Sequence, residues 1–447
     1  MSAASSIRVP DASSPEAMRR RAWWLVALNL LIPGSAQLLA GNRRLGKFGV
    51  VTTFVLWGLA LVLLLLYLVW PVAVYSIAAN PLVLGVAQVA LVVYAVLWVV
   101  FTLDTLRLVR LIRVRPIARG FVAGIAIAGL VLTAGLSSYG AMMAGSARSA
   151  ITTIFDSSEY TPPVNGRYNI LLLGGDAGPD REGLRPDSLS LASVDAQTGA
   201  TVLVGIPRNL EQVRFSAGSP LYGPFPNGYD CGDNCLIDYL YTYGQEHPDL
   251  YPDAAKHGSS PGIEAMRDSV EGVLGITIQY FVLIDMQGFS DLVNALGGIT
   301  LNVPERTPLA AAIPGAEPFA WVEAGKQHLD GNTALWYARS RYESTDFARM
   351  SRQRDVQEAI LREFTPANVL LKFQQVAEAG KEVVKTNIPS VMLGLFVDLG
   401  SKAKKLPVTR LELVPPEFPP GNPDYDKIAA AFAKTIAAET PSPTPAP

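Results

Sequence analysis

Two aspartates flank neighbouring apolar segments in the second half of the chain. Asp176 follows the segment 169–174, and Asp187 precedes the next segment, 188–194. Ligands of α/β proteins bind where strands end at a sheet edge, and Mg²⁺ is usually held by one or two carboxylates plus substrate oxygens. With Arg185, these carboxylates could hold a divalent cation and a phosphate group. The alternative is that both aspartates cap loops through Asx-turns.

Several arginines could bind such a phosphate. Pro207-Arg208 follows the apolar segment Thr201–Ile206 directly, so Arg208 should project from a sheet end. Arg339 and Arg341 flank a single serine, and in an extended segment such residues point to the same side. A guanidinium group carries forked donors that match two phosphate oxygens at once.

A further group lies in the helix predicted at 347–363, with Asp346 at its N-cap position. Arg349, Arg352 and Gln353 are three and four residues apart, so they share one helix face. The alternative for these arginines is a solvated face paired with Glu and Asp.

The elements around these residues alternate between strand and helix patterns, which is typical of an α/β fold. Pro261 should start one helix, and Gly297-Gly298 should end another. Apolar segments predict strands at 169–174, 188–194, 201–206, 280–284 and 299–303, and helical spacing predicts helices at 262–274, 290–296, 347–363 and 425–438.

Charge and hydrophobicity divide the chain into two parts. Residues 1–150 carry 13 Lys+Arg and three Asp+Glu, whereas the remainder carries 24 and 36. Hydrophobic residues make up 49% of the chain, which indicates a basic membrane anchor followed by an acidic soluble domain. Nucleic-acid binding is disfavoured because no basic surface is indicated. Two cysteines and three histidines are too few for a four-ligand zinc site.

The membrane region contains a long uncharged stretch from Phe48 to Leu103, too long for one span of a hydrocarbon layer about 30 Å thick. Pro71 and Asn80-Pro81 divide it into predicted spans at about 48–70 and 81–103, and a third uncharged run predicts a span at about 120–145. Arginines between the last two spans predict a cytoplasmic connection. Everything after residue 146 should then be extracytoplasmic.

The first apolar run, 23–40, has basic residues on both sides and Pro33-Gly34 inside it. It is either a re-entrant hairpin or a fourth span, and the basic flanks favour the hairpin. The predicted organisation is a cytoplasmic tail (1–22), a membrane region (23–145), a linker (146–164), an extracytoplasmic domain (165–440) and a disordered Pro-rich tail (441–447).

Cys231 and Cys235 lie four residues apart in the predicted extracytoplasmic part. Disulfides form in such compartments, so we expect a disulfide that closes a tight loop. The alternative is two free thiols.

Seven motifs, in this order, resemble the LytR-CpsA-Psr family. The resemblance spans roughly residues 165–365. The motifs are Leu171-Leu172-Leu173-Gly174-Gly175-Asp176, Arg185-Pro186-Asp187-Ser188, Ile206-Pro207-Arg208, Leu296-Gly297-Gly298-Ile299, Gly325-Lys326-Gln327-His328-Leu329-Asp330-Gly331, Tyr337-Ala338-Arg339-Ser340-Arg341, and Asp346-Phe347-Ala348-Arg349 with Arg352-Gln353.

The resemblance implies an α/β domain with a mixed central sheet flanked by helices. It also implies a membrane-anchored, extracytoplasmic, Mg²⁺-dependent phosphotransferase that moves a glycopolymer from polyprenyl pyrophosphate to peptidoglycan as a phosphodiester, which fits the multi-pass membrane protein predicted from the spans. Phosphoryl transfer depends mainly on positioning and charge neutralisation. By motif position, the catalytic residues are Asp176, Asp187, Arg339 and Arg341, the two aspartates hold Mg²⁺, and the pyrophosphate is bound by Arg185, Arg208, Arg349 and Gln353.

The chain departs from the family pattern at two positions. Members usually have Asp after the Pro-Arg pair, where this chain has Asn209, and often have Lys-Ile-Asn where it has Leu236-Ile237-Asp238. The second change removes a cation near the donor. Both changes could tune the choice of donor, or they could leave a weak enzyme.

Two other functions fit the same residues. One is a non-catalytic membrane protein, either regulatory or binding a lipid-linked sugar. The other is a polyprenyl-pyrophosphate phosphatase, in which water replaces the sugar hydroxyl. Assays with and without an acceptor glycan separate these functions from transfer.

Overall fold

In a computed structural model of the chain, helices occupy the N-terminal part and the first strand begins at Arg167. The structure describes residues 14–114, 116–155, 160–176, 185–232, 235–310, 317–363 and 384–439, with Asp176 and Arg185 described by their backbone alone. The chain forms two units, Met1–Arg148 and Ser149–Pro447. The predicted tail 441–447 lies outside the described residues.

The N-terminal unit is built from helices rich in apolar residues. Among the described residues, α3, α5 and α6 are long and apolar enough to cross a membrane, and they contain the predicted segments 48–70, 81–103 and 120–145 almost entirely. The helices are α1 (Pro15–Leu31), α2 (Ser35–Ala40), α3 (Arg43–Val69), α4 (Pro71–Ala78), α5 (Pro81–Val109) and α6 (Pro116–Ile154).

The breaks between these helices have local causes. Asn80 caps α5, because its side chain accepts hydrogen bonds from the backbone N–H groups of Leu82 and Val83. Gly34 separates α1 from α2 with φ of +92°, a conformation that favours glycine. A Cβ atom there would lie 2.8 Å from the carbonyl oxygen of Gly46, so the break also permits close packing against α3.

The C-terminal unit is organised around a mixed sheet. Within the described residues the sheet has six strands in the order β10-β3-β2-β1-β4-β9. Strand β1 pairs antiparallel with β2 and parallel with β4. The strands are β1 (Arg167–Asp176), β2 (Arg185–Asp195), β3 (Thr201–Ile206), β4 (Tyr280–Asp285), β9 (Val384–Thr386) and β10 (Thr409–Glu412). The predicted mixed central sheet is confirmed.

One edge of this sheet collects the residues singled out in the sequence. Strands β1, β3 and β4 end there, and β2 begins there, because β2 runs antiparallel to both β1 and β3. The edge therefore carries Asp176, Arg185 and Asp187, and Arg208 lies two residues after the end of β3.

Helices cover both faces of the sheet. On one face, Leu171, Val204 and Phe281 belong to the main core, together with α7 (Tyr239–Glu246), α8 (Pro261–Leu274) and α13 (Tyr425–Glu439). The alternate side chains of the same strands, such as Leu172 and Val282, point to the other face. That face is covered by α9 (Met286–Leu296), α10 (Gly331–Arg339), α11 (Asp346–Glu363) and α12 (Leu393–Ala403).

Two small antiparallel sheets complete the unit. Strands β5 (Ile299–Val303) and β8 (Gly325–Leu329) form one, and β6 (Thr307–Leu309) and β7 (Ala320–Val322) form the other. Their inner residues pack with α10 and α11 in a second core.

The predicted strands and helices are confirmed, but one helix start is wrong. The helix predicted at 290–296 begins at Met286. Asp285, the last residue of β4, caps it directly by accepting a hydrogen bond of 2.7 Å from the N–H of Gly288. Strand and helix are therefore joined without a loop.

Candidate active site

The sheet and its covering helices enclose an apolar cavity of about 440 Å³. It opens at the sheet edge that carries the strand ends. Its walls are aliphatic and aromatic side chains, whereas its mouth is polar. The walls include Ile170, Leu172, Leu203, Val282, Phe289, Leu335, Val356, Ile360 and Phe396, and the mouth includes Asp187, Ser188, Arg339, Arg341, Arg349 and Gln353.

A β-bulge places Asp187 at the mouth. Gly174 pairs with Ser188 and Gly175 with Pro186, so Asp187 is the extra residue of β2. Bulges redirect side chains and are common beside active sites. A Cβ atom on Gly174 would lie 2.9 Å from the Cβ of Ser188, so glycine is required at this close approach of the two strands.

Arg208 lies among three carboxylates at the end of β3. Its guanidinium group donates to Asp187 at 2.6 Å and lies 3.9 Å from both Asp238 and Asp346. Burial lowers the pKa of Arg208, but the three carboxylates outweigh it, so the pKa lies above its usual value. The group is charged and tightly held.

Arg349 projects from the first turn of α11 and is only 4% exposed. It donates to the backbone oxygen of Asp187 at 3.2 Å and pairs with Asp346 at 3.0 Å. Burial lowers the pKa of Arg349, the carboxylate of Asp346 opposes this, and the nearby cations Arg208 and Arg341 lower it further. At Arg349, Asp346 is therefore the main carboxylate that offsets burial and the like charges.

The remaining mouth residues come from α10, α11 and the segment between them. The hydroxyl of Ser188 donates to the side-chain oxygen of Gln353 at 3.0 Å. Arg341 lies 3.7 Å from Asp346, and the guanidinium carbon of Arg339 lies 5.2 Å from the centre of the Trp336 ring. The structure thus brings Asp187, Arg208, Arg339, Arg341, Arg349 and Gln353 together.

Three predictions about this region are wrong. Thr345, and not Asp346, caps α11, since its hydroxyl accepts the N–H of Ala348 at 3.1 Å, which leaves Asp346 to contact the arginines. Arg352 does not share the face of Arg349 and Gln353 at the mouth, because its guanidinium donates to the backbone oxygen of Ser340 and to the hydroxyl of Ser344. Arg339 is the last residue of α10 and not part of an extended segment.

Asp176 and Arg185 face each other across the edge of the sheet. They are paired in the β1–β2 register, and Arg185 precedes Asp187 by two residues in β2. Their side chains lie outside what the structure describes, so their predicted roles rest on this backbone position.

Two features of the site were missed in the sequence. Asp238 precedes α7 and is almost completely buried beside Arg208, and the apolar cavity lies on the second face of the sheet. A signal for the cavity exists in β1, where Ile170 to Leu173 are all apolar, but such a run only shows that both faces are covered.

The carboxylates of the site suit a hard cation only if a substrate contributes further oxygen ligands. Among the described residues, no group of three or more His, Cys, Asp or Glu side chains could hold a metal ion by itself. The carboxylate of Asp187 is about a quarter exposed at the mouth. One or two carboxylates with phosphate oxygens are the usual ligands of Mg²⁺, so Asp187 fits such a site.

Cys231 and Cys235 are joined by a disulfide with Cα atoms 5.3 Å apart. The bridge closes the loop that precedes Ile237 and Asp238, and the backbone N–H of Asp238 donates to the carbonyl oxygen of Arg208. The disulfide loop therefore leads directly into a wall of the site.

The fold and the site together define a class of protein: an α/β domain with an apolar cavity that has arginines at its mouth. The profile of the LytR-CpsA-Psr family matches residues 136–415, more than half of the chain, and the chain belongs to this family.

Characterised relatives carry names that describe a transfer reaction. A polyisoprenyl-teichoic acid–peptidoglycan teichoic acid transferase, TagU of Enterococcus faecalis, is 30% identical over 225 residues, which are 49% of this chain and 61% of the relative. The transferase TagV of Bacillus subtilis is 27% identical over 224 residues, 49% of this chain and 50% of the relative. The chain thus spans about half to three fifths of the length of these relatives.

Two solved structures align with about three fifths of this chain. Bacillus subtilis TagV aligns with a TM-score of 0.43 and 23% identity, covering 61% of this chain and 98% of that one. TagT bound to LIIa-WTA aligns with a TM-score of 0.42 and 21% identity, covering 62% and 93%.

Proposed function

We propose that this chain transfers a glycopolymer from a polyprenyl-pyrophosphate carrier to peptidoglycan. The observation that carries the proposal is the apolar cavity with an arginine cluster at its mouth. A polyprenyl pyrophosphate has the matching shape, an apolar chain joined to an anionic group. The names of the relatives, which act on polyisoprenyl-linked teichoic acid and peptidoglycan, support the same substrate class.

The reaction is a phosphoryl transfer. A sugar hydroxyl of peptidoglycan attacks the phosphorus atom that bears the glycopolymer and loses its proton to water. The new P–O bond completes a phosphodiester, and polyprenyl phosphate leaves with the electrons of the broken P–O bond. Such a reaction needs charge neutralisation and alignment more than covalent catalysis. Arg339, Arg341 and Arg349 line the mouth and supply the forked donors for phosphate oxygens.

The carboxylates explain why arginines alone are insufficient. Among the described side chains, the mouth holds four cations (Arg208, Arg339, Arg341 and Arg349) and three anions (Asp187, Asp238 and Asp346). A pyrophosphate diester carries a negative charge on each phosphate, so this near-neutral cluster leaves one unbalanced. Asp187 and Asp176 would hold Mg²⁺, which when bound neutralises charge on the phosphate oxygens. Arg185, Arg208 and Gln353 complete the proposed pyrophosphate site.

The membrane placement is part of the proposal. Three apolar helices, α3, α5 and α6, would anchor the chain as a multi-pass protein. The basic connection between α5 and α6 would face the cytoplasm, and the C-terminal unit would then lie outside. The disulfide between Cys231 and Cys235 supports an oxidising compartment for that unit.

The test uses purified full-length protein with a labelled lipid-linked donor and peptidoglycan fragments. Transfer yields a labelled glycan joined to peptidoglycan by a phosphodiester. A phosphatase would release the glycan phosphate without the acceptor, and a binding protein would return the donor unchanged. Either of these two results would contradict the proposal.

A further inference from the structure

An exposed aromatic surface lies on the β6–β7 hairpin. Phe319 and Trp321 are 58% and 43% exposed. Phe319 lies at the bend that precedes β7 and Trp321 lies within β7, whereas Val322 is buried in the second core. Large exposed aromatic side chains contribute little to a core, and two of them this close together suit contact with a ligand.

Both rings are held in place by their neighbours. The guanidinium group of Arg306 lies 4.2 Å from the centre of the Trp321 ring, and its Nε donates to Glu323 at 2.9 Å. The Phe319 ring meets the Trp336 ring edge to face with centroids 5.1 Å apart. The surface is therefore formed in advance of binding.

The surface is connected to the mouth of the cavity through two contacts. Trp336 touches Phe319 on one side and lies under Arg339 on the other, 5.2 Å from its guanidinium carbon. Pro308, the cross-strand partner of Trp321, accepts a hydrogen bond of 2.6 Å from the hydroxyl of Ser340. Ser340 stands between Arg339 and Arg341, so the hairpin is fixed to the segment that carries both arginines.

We propose that Phe319, Trp321 and Trp336 bind the glycan of the lipid-linked donor, beginning at the sugars next to the pyrophosphate. Pyranose rings stack their C–H faces on aromatic rings, and their hydroxyls bond to neighbouring charged groups such as Arg306 and Glu323. The charged groups beside the Trp321 ring suit a hydroxyl-bearing sugar better than a purely apolar ligand. The donor is favoured over the acceptor because the surface begins at Arg339, which lines the mouth of the lipid cavity. The inference rests on the proposed function.

The experiment compares Trp321→Ala and Phe319→Ala with Trp321→Phe, which keeps a ring, in the full-length protein. Leu406→Ala is the matched control, because Leu406 is also exposed but belongs to neither the hairpin nor the cavity. Each variant is measured for binding of the glycan-bearing donor, binding of glycan-free polyprenyl pyrophosphate, and KM for peptidoglycan fragments.

We expect each alanine variant to bind the glycan-bearing donor about fivefold more weakly, and the double variant about twentyfold, as for the loss of one or two aromatic contacts. Binding of glycan-free polyprenyl pyrophosphate and the KM for peptidoglycan should not change, and Trp321→Phe and Leu406→Ala should resemble the wild type.

Unchanged donor binding in the alanine variants would overturn the inference and leave the proposed function intact. A raised KM for peptidoglycan alongside it would indicate that the surface binds the acceptor instead. A wild-type protein that binds neither form of the lipid would overturn both.

Discussion

Partial filling of the apolar cavity should separate substrate binding from folding. Val282 on β4 lines the cavity, whereas Val204 on β3 is completely buried in the main core on the opposite face of the same sheet. The same change, valine to phenylalanine, therefore adds a ring to an open space in one case and to close-packed side chains in the other.

The expected magnitudes follow from the two environments. A phenyl ring in a 440 Å³ cavity displaces about one five-carbon isoprene unit. At ~0.8 kcal/mol per buried carbon group, that loss is about 3–4 kcal/mol, or roughly a few hundredfold in Kd. Rearrangement of the lipid will reduce it, so we expect Val282→Phe to weaken binding at least ~10-fold. Val204→Phe overpacks the core and should cost about 1–3 kcal/mol of stability.

The assay is binding of a fluorescent polyprenyl pyrophosphate, with thermal unfolding of the same samples. Val282→Phe should bind weakly and unfold at or above the wild-type temperature. Val204→Phe should unfold earlier and, while folded, bind normally. Wild-type affinity in Val282→Phe would refute the assignment of the cavity to the lipid.

Three further predictions concern charged groups. Arg339→Ala and Arg341→Ala should each lose about 1.5–3 kcal/mol of charge-assisted contact, so transfer falls roughly tenfold to a hundredfold while thermal unfolding is unchanged; near-normal transfer by both would exclude this pair. Asp187→Asn should abolish Mg²⁺-dependent transfer. It should weaken polyprenyl-pyrophosphate binding less than Arg341→Ala does, because the cation acts mainly in the transition state. An unchanged Mg²⁺ dependence would show that Asp187 only positions Arg208. Burial raises the pKa of Glu271 to about 7, although the N–H of Ile278 and the charge of Arg267 oppose the shift. The protonated form therefore stabilises the folded state fully at pH values below the pKa of the unfolded chain. This stabilisation is lost as the pH rises through about 7. Glu271→Gln should therefore stabilise the protein by about 1–2 kcal/mol at pH 8, allowing for solvent screening, and little at pH 4; equal effects at both pH values in chemical unfolding would contradict this pKa.

The strands that form the site could be predicted from sequence because their apolar runs are short and bounded by polar residues. The environment that each side of these strands faces could not be predicted in the same way. Leu171 packs in the main core and Leu172 lines the cavity, yet both positions are apolar, since a lipid cavity and a packed core select the same residue types. The sequence therefore indicates burial on both faces without separating filled space from open space.

The charged residues show a second limit. Thr345 and Asp346 are both suitable N-cap residues. The choice between them depends on the arginines that hold Asp346 in the site, of which Arg208 is distant in sequence. Arg352 has the spacing of a mouth residue, but its long side chain reaches the turn before α11. Helical periodicity gives the direction of a Cβ atom, whereas a flexible side chain selects among partners that only the tertiary fold provides.

The short hairpin β6–β7 was not predicted at all. Its strands, Thr307–Leu309 and Ala320–Val322, have three residues each, too few to show the alternation that identifies a strand. Its place beside Arg339 and Arg341 depends on the hydrogen bond from Ser340 to Pro308.

The most direct measurement of the proposed function is a single-turnover transfer assay with purified full-length protein, Mg²⁺, and a polyprenyl-pyrophosphate donor labelled in its glycan. With peptidoglycan fragments present, we expect the label to appear on peptidoglycan through a phosphodiester, with one polyprenyl phosphate released per glycan joined. Without the acceptor, the donor should remain intact. Release of the labelled glycan phosphate in the absence of peptidoglycan, or an unchanged donor in its presence, would contradict glycopolymer transfer.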